Sequence, residues 1–93
     1  MAGDALERRL KIVNTKGLHA RASAKFVQCT AKFDAQVTVL KDGQSVSGTS
    51  IMGLMMLGAG PGSEVIVRAS GDQASEALDA LERLITTKFG EDA

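Results

Sequence analysis

The chain contains a single histidine, His19, placed where the loop Asn14-Thr15-Lys16-Gly17 gives way to a run of helix formers. An imidazole brings a nucleophilic ring nitrogen. The start of a helix brings free backbone N–H groups and the positive end of the helix dipole, which suit an arriving anion or phosphoryl group. In such an arrangement the N–H groups of Ala20 and Arg21 would accompany the ring. Arg21 also offers planar side-chain donors for phosphoryl oxygens. No Ser–His–Asp or Cys–His set stands beside His19, because Cys29 lies well down the same helix. A lone nucleophile without a base or a metal suits a group carrier better than an enzyme turning over small molecules. Spacing alone favours an incidental loop or cap histidine, since one histidine near a helix start is a weak signal.

Ser50 is the second residue with chemical potential. It precedes the short apolar run Ile51-Met-Gly-Leu-Met-Met-Leu57, and its first role is to cap that segment. A phosphate at Ser50 would be tolerated by the helix dipole and would change the surface that partners meet. The run is apolar on all sides. Leu54 and Leu57 are expected in the core, so at least one of Met52, Met55 and Met56 should be exposed. Exposed methionine suits a surface used by several partners in turn.

The elements that must position these groups follow from periodicity. Ala5–Val13 alternates, with Leu6, Arg8, Leu10 and Ile12 on one side, and reads as a strand. From His19 or Ala20 to about Lys32 a helix is expected with two apolar rows: Ala20, Ala24, Val27 and Ala31, and Ala22, Phe26, Cys29 and Phe33. Two rows exceed what a helix on one sheet needs, so one row is available to a partner. Asp42-Gly43 marks a hairpin between Ala35–Lys41 and Gln44–Ser47. Glu64–Ala69 is a β-branched strand. Asp72 is placed to cap a last helix whose stripe is Ala74, Ala77, Leu78, Leu81, Leu84 and Ile85, with Asp79 and Arg83 paired at i, i+4. The order is βαββαβα, an α+β two-layer sandwich.

Composition narrows the function. Ninety-three residues suit one domain, 1–93, with an ordered core expected at about 5–89. Eleven Lys and Arg balance eleven Asp and Glu, which opposes a nucleic-acid binder, and three Phe without Trp or Tyr supply no stacking platform. One Cys and one His supply no metal set and no internal disulfide. The first residues carry acids and no apolar core of a signal peptide, and no stretch is long enough for membrane insertion. A cytoplasmic monomer is expected. The zero net charge hides a split, +5 up to Lys41 and −5 from Asp42 onward, which puts Arg21, Lys25 and Lys32 on the helix that begins at His19.

Three segments carry a resemblance. Gly17-Leu-His-Ala-Arg21 resembles the active-site segment of the HPr family, the histidine-containing phosphocarriers of the bacterial phosphotransferase system. Ser50-Ile-Met-Gly-Leu-Met-Met-Leu-Gly58 resembles that family's second helix and regulatory-serine segment. Ala69-Ser-Gly-Asp72, followed by Glu76-Ala-Leu-Asp-Ala-Leu-Glu82, resembles the turn and start of its last helix. The spacing fits across residues 8–90. The resemblance implies an open-faced sandwich with three helices on one face of an antiparallel sheet of order 1-4-2-3. It implies that His19 accepts a phosphoryl group on Nδ1 from phosphoenolpyruvate-charged Enzyme I and passes it to a histidine of an Enzyme IIA, with no cofactor. Arg21 then stabilises the group and Ala20 and Arg21 offer it backbone N–H groups. Ser50 matches the target of the HPr kinase/phosphorylase, and Ala20, Ala24, Val27, Gln28, Ile51, Met52 and Met55 form the partner surface.

Two departures stand out. The family usually has Pro after the active-site Arg, where this chain has Ala22 and Ser23, and Lys16 occupies a loop position often held by Ser or Thr. Both lean towards a regulatory, nitrogen-related relay rather than bulk sugar uptake. The competing reading is an interaction module switched by phosphorylation of Ser50 or His19, rather than a high-flux carrier. A small-ligand or RNA-binding domain has little in its favour.

Overall fold

The computed structural model describes residues 5–91. The sheet is built from β1 (Leu6–Lys11), β2 (Gln36–Lys41), β3 (Gln44–Ser47) and β4 (Glu64–Ser70), all antiparallel, in the order β1-β4-β2-β3. Helices α1 (Ala20–Thr30), α2 (Ile51–Met56) and α3 (Ala74–Thr86) complete the βαββαβα order, and a short turn, Lys88–Gly90, follows α3. β4 lies between β1 and β2, pairing with both, and turns Val65, Val67 and Ala69 to the core.

Period two governs which side chains enter the core. Leu10 and Ile12 in and after β1, and Val37 and Val39 in β2, point inward with Val65 and Val67. Against them pack Ala22 and Phe26 of α1, Leu54 of α2, and Ala77, Leu78, Leu81 and Ile85 of α3. Each such large side chain contributes about 1.5–3 kcal/mol by leaving water. The β2–β3 hairpin turns on Asp42 and Gly43 with φ of 51° and 82°, the paired left-handed residues that match the twist of the flanking strands.

Several local expectations change. β1 is shorter than Ala5–Val13, and Leu6 at its edge is exposed rather than half-buried. Helix α1 ends at Thr30; in one row Ala22 and Phe26 are buried and Cys29 and Phe33 half-buried, and in the other Ala20 and Ala31 are exposed and Ala24 and Val27 half-buried. Asp72 does not cap α3. The helix begins one residue later, behind Gln73, whose side chain instead accepts the Asp34 N–H across the neighbouring loop at 2.7 Å. Asp79 does not pair with Arg83 either. It and Glu82 grip Arg8 of β1 at 2.7 and 2.8 Å, since a guanidinium reaching from the sheet spans two successive turns of the helix above it.

Candidate functional site

The site is assembled where β1 runs into α1. After Ile12 the chain turns through Asn14–Gly17, and Gly17 adopts φ of 64° because the backbone of Ala59 and Gly60 passes directly over it. Leu18 N–H then donates to the Ala59 carbonyl at 2.9 Å. This stitch sets the direction from which His19 meets the helix. Ser23 strengthens it by donating its hydroxyl to the Leu18 carbonyl at 3.1 Å. Where the resemblance implies a proline, the chain has a wholly buried Ala22 next to this buried serine bond.

His19 is the N-cap of α1, with extended φ and ψ of −75° and −178°. Its Nδ1 accepts the Arg21 backbone N–H at 3.3 Å. The other ring nitrogen faces a group that sequence reasoning missed: Nε2 lies 2.6 Å from Glu91 Oε2. A carboxylate oxygen accepts and an amide N–H donates, so the two contacts agree on one neutral form. That form has its proton on Nε2 and turns the Nδ1 lone pair to the helix start. The Asn14 amide hydrogen bond, followed by that from His19, holds the Glu91 carboxyl below its ordinary range, so it is ionised at neutral pH.

Glu91 reaches the ring by an unusual route. Lys88 and Phe89, at φ of 60° and 56°, and Gly90, at 75°, are three left-handed residues in succession that reverse the chain after α3. Two non-glycine residues in that region cost about 1–2 kcal/mol each. Burying Phe89, only 1% exposed, offsets about 1.5–3 kcal/mol of this. Lys25 Nζ also donates to the Phe89 carbonyl at 2.6 Å. Lys25 therefore has a structural task beyond a general positive field.

An open cavity of about 680 Å³ borders the ring, lined by Thr15, Lys16, Ala20, Arg21, Lys25, Gly90 and Glu91. Arg21, Lys16 and Lys25 give it positive charge, and the Arg21 side chain is exposed. The basic half of the chain supplies most of this site, and the acidic half supplies Glu91.

Ser50 is the N-cap of α2 and accepts the Gly53 N–H at 2.9 Å. Gly53 is needed there, since a Cβ would stand 2.9 Å from Ser50 Oγ and 3.0 Å from Val46. Leu54 and Leu57 are buried, whereas Met52 and Met56 are 70% and 74% exposed and Ile51 and Met55 about 40%. Helix α2 packs on α1, where Ala24 and Val27 are half-buried and Ala20 and Gln28 exposed.

Comparison with known proteins bears on family and fold. The family model described as "PTS HPr component phosphorylation site" matches residues 6–87. The chain is 49% identical to the phosphocarrier protein HPr of Cupriavidus necator over 92% of its own length and 97% of that protein's. It is 40% identical to the phosphocarrier protein NPr of Shewanella violacea, over 92% and 94% of the two chains. The crystal structure of HPr-C-His from Thermoanaerobacter tengcongensis superposes with a TM-score of 0.90 at 46% identity, covering 95% of this chain and 99% of that one. With a family-model match across nearly the whole described chain, curated relatives at up to 49% identity and a shared fold, this protein belongs to the HPr family of phosphotransferase-system phosphocarriers.

Proposed function

We propose that the protein is a phosphoryl carrier that accepts the group on His19 Nδ1 from phosphorylated Enzyme I and passes it to a histidine of an Enzyme IIA. One observation carries the reading: the Nδ1 lone pair is presented at the N-terminus of α1, beside an open, mainly basic cavity. In the transfer, Nδ1 forms the N–P bond as the donor's N–P bond breaks, and the donor nitrogen keeps the electron pair. The Arg21 N–H that now meets Nδ1 would turn to a phosphoryl oxygen, joined by the Ala20 N–H. The Arg21 guanidinium would neutralise part of the incoming charge.

Transfer between two histidines is nearly isoenergetic, so the carrier's task is positioning and charge stabilisation rather than turnover. It acts as a substrate-like partner and requires no metal or cofactor. The exposed Ile51, Met52 and Met55, with Ala20, Ala24, Val27 and Gln28, are the docking surface of this reading. The similar proteins bear both the HPr and the NPr name, and the same chemistry at His19 would serve a sugar or a nitrogen-related relay. No helix among the described residues is long and apolar enough to cross a membrane, in keeping with a cytoplasmic carrier. A monomer is the proposed working form, although one similar structure, from Thermoanaerobacter tengcongensis, is of an HPr dimer.

The test is labelling with phosphoenolpyruvate and Enzyme I. An acid-labile label present in the wild type and absent from His19→Ala is expected, and a label that persists in the variant would refute the assignment.

Ser50 favours a second, regulatory use of the same protein. Its hydroxyl already caps α2, and phosphorylation there by an HPr kinase/phosphorylase would place negative charge next to the Met surface without needing a new backbone conformation. Incubation with ATP and that kinase should give an acid-stable label lost in Ser50→Ala, and the absence of label removes this use.

A further inference from the structure

Three side chains near the reacting nitrogen form a series in which each orients the next. Asn14 is wholly buried. The Gly17 carbonyl can only accept, so it faces the Asn14 amino group, 2.8 Å away. The second hydrogen of that amino group points to Glu91 Oε1 at 3.0 Å, and both Asn14 donors are then used. Glu91 Oε2, the remaining carboxylate oxygen, takes the Nε2–H of His19 at 2.6 Å. We propose that Glu91, aimed by Asn14, is a positioning residue that locks His19 in its Nε2–H tautomer and so reserves Nδ1 for the phosphoryl group.

The purpose of the lock rests on the phosphoryl-carrier reading, while the lock itself is a property of the resting protein. The turn that carries Glu91 is built to hold it. Phe89 is buried and its carbonyl is tied to Lys25, so the three left-handed residues keep one course onto the ring. During transfer, bond formation at Nδ1 leaves the ring cationic, with its proton still on Nε2. That charge develops against the Glu91 carboxylate, which touches only the nitrogen that does not react. A carboxylate in a basic phosphoryl site would otherwise oppose the incoming group. Here it answers the ring's own developing charge.

The decisive comparison is between Glu91→Ala and Glu91→Gln. Alanine removes the acceptor and frees both tautomers. Glutamine does something different. Asn14 is held by the Gly17 carbonyl with its amino group towards residue 91, so the new side chain's oxygen must face Asn14 and its amino group must face His19 Nε2. That donor would drive the proton to Nδ1, against the Arg21 N–H and onto the nucleophilic position. The near-isosteric variant is therefore expected to be the worse one.

The experiment reads the imidazole ¹⁵N resonances of His19 in the resting protein, together with the rate of transfer from phosphorylated Enzyme I. The expected result is Nε2–H in the wild type, a mixture in Glu91→Ala, and a shift towards Nδ1–H in Glu91→Gln. Transfer should slow by roughly tenfold in the alanine variant. In the glutamine variant it should slow by about 10²-fold or more, in line with the large loss when an Asp-to-Asn change imposes the wrong histidine tautomer on a serine protease. Unchanged ring resonances in both variants, or a glutamine variant that transfers as fast as the alanine one, would overturn the lock. A wild type that never takes the label overturns the carrier reading instead, while its ring resonances still decide the tautomer.

Discussion

Replacing Gly17 by alanine should destabilise this protein far more than the same change at Gly43, although both glycines have positive φ, 64° and 82°. The conformational share is common to the two, about 1 kcal/mol for an L-residue held in the left-handed region. At Gly43 nothing lies within 4 Å of the added carbon, so the effect stops there. At Gly17 the new Cβ would run into the Ala59 carbonyl oxygen and stand 2.8 Å from the Gly60 Cα, both of them backbone atoms that cannot rotate away. The loop must shift, which weakens the 2.9 Å bond from Leu18 N–H to that same Ala59 carbonyl. Overpacking of about 1–3 kcal/mol and a lost hydrogen bond of about 1 kcal/mol bring the total to roughly 4 kcal/mol. For a domain of this size that lowers Tm by roughly 15–30 °C, against about 4–8 °C for Gly43→Ala. Calorimetry or thermal circular dichroism on the two variants measures the difference. A Gly17→Ala protein that melts within a few degrees of Gly43→Ala would refute the claim that this crossing of two loops sets the approach to His19.

Other consequences are more local. Ser50→Ala should cost about 1 kcal/mol through the lost bond to Gly53 N–H, and Ser50→Asp should recover most of it, as urea melts would show. Met52→Glu, at a position 70% exposed, should leave Tm nearly unchanged while weakening Enzyme I binding about tenfold or more by calorimetric titration; an unchanged Kd removes α2 from the docking surface. The hydrogen bonds from Asn14 and His19 hold the Glu91 carboxyl below its ordinary range in the folded protein, so its contribution to stability is present above the unfolded value and is lost as the pH falls through the folded one. The Tm gap between wild type and Glu91→Ala should accordingly be open at neutral pH and close in acid, and a gap that stays constant would contradict the bond to Asn14 and His19.

Much of the fold was legible because its signals are local. Alternation in Val65-Ile-Val67, the Asp42-Gly43 turn and the Ala77, Leu78, Leu81 and Ile85 stripe each specify an element within a few residues. The position of His19 at a helix start was legible for the same reason. Misreadings arose where a side chain had a choice of partners. Asp79 could pair with Arg83 on its own helix, yet Arg8 binds it together with Glu82, because one planar guanidinium satisfies two carboxylates at once.

Glu91 marks the limit of reading along the chain. By itself the sequence determined which nitrogen-bearing residue stands at the head of α1 and which helix carries the surrounding cations. Only the tertiary structure decided that a carboxylate beyond the expected end of the ordered core returns to His19. The physical reason is that the return depends on left-handed φ at Lys88 and Phe89, residue types that do not announce it. Those angles persist because Phe89 has a core pocket to fill and Lys25 stands where its carbonyl emerges, and both conditions exist only once α1 and α3 have packed together.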